Sequence, residues 1–309
     1  MSARKALILG ITGAIGAAVA AALHRQGWQI AALSRRPGTA PYPVEWHQGD
    51  ARDAAALRRA AQGCGLIFHG VNPPGYRRWR EDGLPMLAAA LAAAEAEGAR
   101  LLFPGNTYVF APASGALVNE ATLHIPTTRK GTVRAEMEAM LAASPARTLV
   151  LRAGDFFGPG VVNSWFAQAV AKGGRQARTL RTLGPTGAKA AGHAWAYVPD
   201  LAEAFARLAA IEATLPTHAT FHFAGHWDET GRGMAEAVQH ALLPRQVPIR
   251  AFPWWLTRLA APFVPFLAEA QEMRWLWNHP LRLDNRALQA AIGPEPHTPL
   301  PAAIAAALA

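Results

Sequence analysis

The chain has 309 residues, of which 51% are hydrophobic and 17% charged, with a formal net charge of +9. Such a chain can bury a substantial core, which excludes fibrous and disordered classes. Its positive charge is spread in short clusters, Arg35–Arg36, Arg77–Arg78 and Arg129–Lys130, with no basic run interleaved with aromatics and no zinc or helix-turn-helix signature, so a small anionic ligand is expected rather than nucleic acid.

The N-terminal MSARKALILGITGAIGAAVAAAL has the charged start and apolar run of a signal peptide or anchor, but its glycines divide it. A strand-like KALILGI gives way at Gly10, Gly13 and Gly16 to an Ala-rich helix ending at Gln26–Gly27. Strand, glycine turn and helix form the context in which backbone N–H groups approach a pyrophosphate, so Gly10, Thr12, Gly13, Ala14, Ile15 and Gly16 are the expected dinucleotide turn. The second strand, WQIAALS, runs into Ser34, Arg35 and Arg36 where NAD binding usually calls for a carboxylate; a hydroxyl and two guanidinium groups suit a 2′-phosphate, and NADP(H) is the expected cofactor. After the third strand, VEWHQGD, Asp50 can accept from an adenine amino group or cap the following helix. The fourth strand, GLIFHGV, follows Cys64, the single cysteine, which can form no intramolecular disulfide and reads as a small buried hydrophobe in a reducing compartment.

The segment LPMLAAALAAAEAEG reads as a crossover helix with a glycine stop, and ARLLFPGN and RTLVLRAG as the fifth and sixth strands. Continuous apolar strands joined by helices predict an α/β protein, a Rossmann-type doubly wound parallel sheet. Residues 1–155 are the expected NADP-binding core, and 156–309 a mixed region that completes the sheet and forms a smaller substrate-binding lobe. HATFHFAGH reads as a strand that spreads His218, His222 and His226 over about 26 Å, which argues against a metal site. AFPWWLTRLAAPFVPFLAEA holds Arg258 and three prolines, a poor membrane span and a better helix pair on a domain surface. A cytoplasmic protein with a small-molecule substrate and a homodimeric partner is expected, with no role for membrane or nucleic acid.

One stretch runs against helix electrostatics. PTTRKGTVRAEME opens a helix with Arg129 and Lys130 and adds Arg134, although the positive end of a helix dipole favours carboxylates. Lys130 and Arg134, four apart, share a face and repel. Either that face is wet or something anionic or electron-rich lies against it.

In GITGAIG, GDARD, LIFHG, LRAGDFFGPG, AYVPDLAEAF, LDNRALQAAIG and TPLPAAI, taken in order, the chain resembles the extended short-chain dehydrogenase/reductase family of the NAD(P)-dependent epimerase/dehydratase type. The resemblance implies a reaction centre of a serine or threonine after the fifth strand, then a tyrosine and a lysine four residues apart. Those positions fall here on Asn106, Lys130 and Arg134, and Tyr108 falls where the dehydratase branch carries a glutamate. Arg134 keeps a charge for the nicotinamide ribose but does not titrate near neutrality, and Asn106 can orient a carbonyl without relaying a hydroxyl proton. Lys130 and Tyr108 become the candidates for stabilising charge and supplying a proton. Asp155 and His193 stand where sugar-nucleotide enzymes often have asparagine and arginine, and neither favours a diphosphate. The expected activity is NADP(H)-dependent reduction of a carbonyl or activated double bond. A catalytically degenerate NADP(H)-sensing protein and a sugar-nucleotide epimerase or dehydratase are the alternatives.

Overall fold

The computed structural model describes residues 4–73, 78–261 and 270–309. Strands β1 (Lys5–Leu9), β2 (Gln29–Ser34), β3 (Val44–Gln48), β4 (Leu66–His69), β5 (Arg100–Asn106), β7 (Arg147–Ala153) and β11 (His218–Phe223) form one sheet in the order β11-β7-β5-β4-β1-β2-β3. Every pairing in it is parallel. The doubly wound sheet and its six expected strands are thus present, and the HATFHF run adds the seventh strand. The intervening β6 (Leu117–Val118) pairs with β14 (Arg282–Leu283), and β9 (Leu180–Thr182) with β13 (Ile249–Ala251). A three-stranded sheet joins β8 (Asp155–Phe157), β10 (His193–Tyr197) and β12 (His226–Asp228).

Alternation along β1 shows how the layers arise. Ala6 and Ile8 enter a core with Val19 and Leu23 of α1 (Ala14–Arg25), Phe205 of α5 (Val198–Ala210) and Leu288 of α8 (Arg286–Ile292). Leu7 and Leu9 face the opposite core, with Leu57 of α2 (Ala54–Ala61), Leu87 of α3 (Leu84–Glu97) and Met137 of α4 (Arg129–Ala143). All four β1 side chains are fully buried; burying each of the larger aliphatic ones contributes about 1.5–3 kcal/mol. Cys64 is buried beside α2, and burial pushes its thiol up to about 11, as a structural cysteine requires. A third cluster gathers Phe157 of β8, Trp195 of β10, Trp277 and Met234 of α6 (Gly233–Ala241).

Of the expected surface helix pair, α7 (Trp254–Ala260) is present, and the remainder over 262–269 lies outside the described residues, as does Arg77. Among the described residues no helix is long and apolar enough to cross a membrane. His218 and His222 lie on β11 and His226 on β12, in different sheets.

Candidate active site

The strand order reverses direction between β1 and β4, and a parallel sheet opens a ligand crevice at the carboxyl ends of its strands at such a point. Gly10 closes β1 with φ of +90°, and a Cβ there would lie 2.7 Å from the Gly70 carbonyl oxygen after β4. A Cβ on Gly16 would overlap the Gly10 carbonyl oxygen itself. The turn therefore packs backbone on backbone, leaving Thr12 and Gly13 exposed and Ala14 and Ile15 half-buried at the start of α1. Gly13 is the N-cap residue and contributes no capping side chain, so the amides of the first turn keep their capacity for an external acceptor. These features fit a dinucleotide pyrophosphate.

Beside the turn, Ser34 Oγ donates to the Arg36 carbonyl oxygen at 2.7 Å and accepts from the Arg36 amide, folding the loop back while Arg35 and Arg36 remain exposed. Asp50 is held by Arg52, whose Nη2 lies 2.7 Å and Nε 3.1 Å from its two carboxylate oxygens. That hydrogen bonding holds the Asp50 carboxyl down at about 2. The helix after β3 is capped by Asp53, which accepts from the amides of Ala55 and Ala56, so the capping role considered for Asp50 belongs to Asp53.

At the other end of the crevice, Asn106 turns its Oδ1 onto the Tyr108 amide at 3.0 Å and caps a single turn over Thr107–Val109. The backbone at Gly131 lies directly against the Tyr108 carbonyl oxygen, which places the first turn of α4 on this segment. Thr128 caps α4 by accepting from the Gly131 amide. The three cations then separate. Arg129 is exposed and pairs with Glu272 at 2.8 Å, Lys130 is half-buried, and Arg134 is 6% exposed. The Arg134 guanidinium donates to the Pro104 carbonyl oxygen and lies 4.7 Å from the Phe103 ring centroid. The face carrying Lys130 and Arg134 is therefore not simply wet.

The histidine of LIFHG carries no local sequence signal of a site. His69 ends β4, buried and stacked on Phe103 at 6.0 Å; burial first, then the Arg134 charge, push it down to about 3, so its imidazole is neutral. A second group had no local signal at all. Buried Arg152 on β7 donates to Glu138 of α4 at 2.7 and 2.9 Å, to His222 Nε2 on β11 at 3.0 Å and to His124 Nε2 in the loop before α4 at 2.7 Å.

Asp155 and His193, noted from sequence as departures, form a pair: Asp155 Oδ2 lies 2.8 Å from His193 Nε2, and Asp155 Oδ1 lies 3.5 Å from the Tyr108 hydroxyl. They line a small cleft with Thr107, Gly192 and Leu276. It adjoins a more apolar cleft that includes Trp195, Trp277, Leu183 and Met234 and shares Gly192 and His193 with the first. Arg35 and Arg36 after β2 and Lys130 and Tyr108 after β5 thus lie at the same, carboxyl edge of the sheet, on opposite sides of the glycine turn.

Comparison with known proteins bears on the family and the fold. A 3-diazoavenalumate denitrifying reductase from Streptomyces sp is 31% identical over 176 residues, covering 50% of this chain and 57% of that protein. A ceramide reductase from Caulobacter vibrioides is 31% identical over 163 residues, covering 50% of this chain and 46% of that protein. The chain thus matches about half the length of each of these curated relatives. The solved structure of MoeE5 in complex with UDP-glucose and NAD shares the fold, with a TM-score of 0.74 at 16% identity over 98% of this chain and 97% of that one. The model of the NAD dependent epimerase/dehydratase family matches residues 6–220, from β1 through the glycine turn, α4 and β10 into β11, and the chain belongs to that family.

Proposed function

We propose that this protein is an NADP(H)-dependent oxidoreductase that reduces a carbonyl or activated double bond of a small organic substrate. The observation that carries the reading is the packing of the Tyr108 backbone carbonyl on Gly131 in the first turn of α4, which holds a half-buried Lys130, at the sheet edge that also bears the glycine turn. Reductase relatives at 31% identity support the reaction class. NAD in the MoeE5 structure supports a dinucleotide cofactor, and Arg35 with Arg36 favours the 2′-phosphorylated form.

When bound, the nicotinamide cofactor supplies a hydride. The α1 amides and the turn from Gly10 to Gly16 bind its pyrophosphate, and Ser34, Arg35 and Arg36 its 2′-phosphate. Asp50, ionised and oriented by Arg52, receives the adenine amino group. Arg134, fixed against Phe103, supplies positive charge at the ribose end of the site rather than acting as a mobile arm. Lys130 stabilises negative charge developing on the substrate oxygen, and Asn106 holds the Tyr108 segment in place. Tyr108 or a water molecule delivers the proton. A sugar nucleotide fits less well, because Asp155 would repel its diphosphate.

The test is NADPH oxidation by purified protein against a panel of aldehydes, ketones and enones, with a thermal-shift titration of NADPH and NADH alongside. Turnover with NADPH is expected. Tight NADPH binding without turnover across the panel would move the reading to an NADP(H)-binding protein.

A further inference from the structure

Two residues that the proposed reaction leaves without a task lie next to its acid. Asp155 opens β8 directly after β7, and the parallel pairing of β8 with β10 sets it opposite Trp195, beside His193. The Asp155 and His193 side chains are only 11% and 9% exposed. A carboxylate only accepts hydrogen bonds, so at 2.8 Å the proton between them belongs to His193 Nε2. The imidazole is held in that orientation by Trp277, stacked on it at a centroid distance of 3.6 Å, and by Trp195 edge-on at 5.0 Å. Its Nδ1 faces the Leu276 carbonyl oxygen at 3.4 Å. With Oδ2 occupied by His193, Asp155 turns Oδ1 toward the Tyr108 hydroxyl at 3.5 Å. That contact is long, as catalytic hydrogen bonds often are before substrate binds.

We propose that Asp155 and His193 form a positioning pair that holds the Tyr108 phenol in place at the cleft for proton transfer to the substrate oxygen. This rests on the reading of Tyr108 as the acid. Asp155 accepts the phenol's hydrogen bond and so fixes its orientation, while its negative charge disfavours a phenolate close by, a cost in acidity set against the gain in placement. When the substrate oxygen gains negative charge, the O–H bond of Tyr108 breaks, the proton bonds to that oxygen, and the phenolate left beside Asp155 recovers a proton from water in the adjoining cleft. His193 acts through Asp155: its N–H holds one carboxylate oxygen so that the other faces the phenol. In the first turn of α4, which packs on the Tyr108 backbone, Arg129 is paired with Glu272, and the positive charge of Lys130 acts on the phenol in the opposite sense to Asp155.

The chain has only four tyrosines, so the phenol can be followed directly in protein labelled with 13C at the tyrosine ring, without cofactor, using Tyr108→Phe to assign its signal. Asp155→Asn should lower the Tyr108 titration midpoint by about one pH unit or more. His193→Phe should move it in the same direction, and His193→Gln, which keeps an N–H donor, by much less. In turnover, Asp155→Asn should lower kcat tenfold or more with KM within about twofold, and His193→Gln should retain more activity than His193→Phe. A Tyr108 midpoint unchanged in both Asp155→Asn and His193→Phe would overturn the pairing whether or not the protein reduces any substrate. A shifted midpoint in a protein that turns over nothing would leave the pair standing and remove only the reductase reading.

Discussion

Acidification should unfold this protein through its buried neutral histidines, and His222 shows how. Its side chain is fully buried, its Nδ1–H donates to the Val118 carbonyl oxygen at 3.2 Å, and its Nε2 accepts from Arg152 at 3.0 Å. A second proton on Nε2 would face the guanidinium; burial first and the Arg152 charge second hold the imidazole down at about 3, against an ordinary value of 6.5. Between those two values the unfolded chain binds the proton and the folded chain does not. Stability is therefore fully present above about pH 6.5 and falls as pH drops toward 3, by about 1.4 kcal/mol per unit for one histidine. From pH 6.5 to 4.5 that is about 3 kcal/mol, a large part of an ordinary folding free energy of about 5–15 kcal/mol. His69, down at about 3, and His226, down at about 4, act in the same direction. The nearby acidic groups Glu138, Glu120 and Asp284 belong to the same environment and are kept in the comparison by changing His222 alone. Urea unfolding followed by tryptophan fluorescence at several pH values should give wild type a steep loss of stability below neutrality. His222→Gln, which keeps a donor and an acceptor but takes up no proton, should start less stable and lose stability more gently. Parallel slopes for the two proteins would refute the reasoning.

The other predictions concern the charged network and the cofactor. Glu138→Gln leaves the Arg152 guanidinium buried without its carboxylate and should destabilise the protein by about 3–5 kcal/mol, read as a fall in urea midpoint; a change below about 1 kcal/mol would contradict it. Arg35→Ala with Arg36→Ala should weaken NADPH binding far more than NADH binding, since each charge-assisted phosphate contact is worth about 1.5–3 kcal/mol; equal affinity for the two cofactors in the unmutated protein, measured by fluorescence titration, would remove that role. Gly16→Ala would push a methyl group into the Gly10 carbonyl oxygen and should abolish binding of either dinucleotide while far-UV circular dichroism stays close to wild type. Retained binding would show that the turn is not the pyrophosphate site.

The sheet was legible because its signals are local. KALILGI, WQIAALS and RTLVLRAG are short apolar runs bounded by turn or helix signals, and the strands in them need no distant partner to be recognised. The glycine turn was legible for the same reason, being a strand, a turn and a helix in sequence. What the sequence hid was which polar groups meet. Arg152, Glu138, His222 and His124 come from β7, α4, β11 and a loop, and only the closed sheet brings them together. Asp155 and His193 drew notice as substitutions against a family pattern, but their contact depends on the β8–β10 pairing, which two short strands barely announce. At α4 the spacing of Lys130 and Arg134 gave their shared face; that Arg134 turns inward was decided by the tertiary contact with Phe103 and the Pro104 carbonyl.

The proposed function stands or falls on hydride transfer from NADPH to a substrate whose developing oxygen charge Lys130 holds. The most direct measurement is single-turnover mixing of NADPH-loaded protein with the carbonyl and enone panel, following cofactor fluorescence and reduced product together, for wild type and Lys130→Met. Wild type should consume NADPH in step with product, and Lys130→Met should bind NADPH equally well but react a hundredfold or more slowly, a loss of about 2.7–4 kcal/mol of transition-state stabilisation. A Lys130→Met protein as fast as wild type, and slightly more stable for having lost a cation from the first turn of α4, would contradict it.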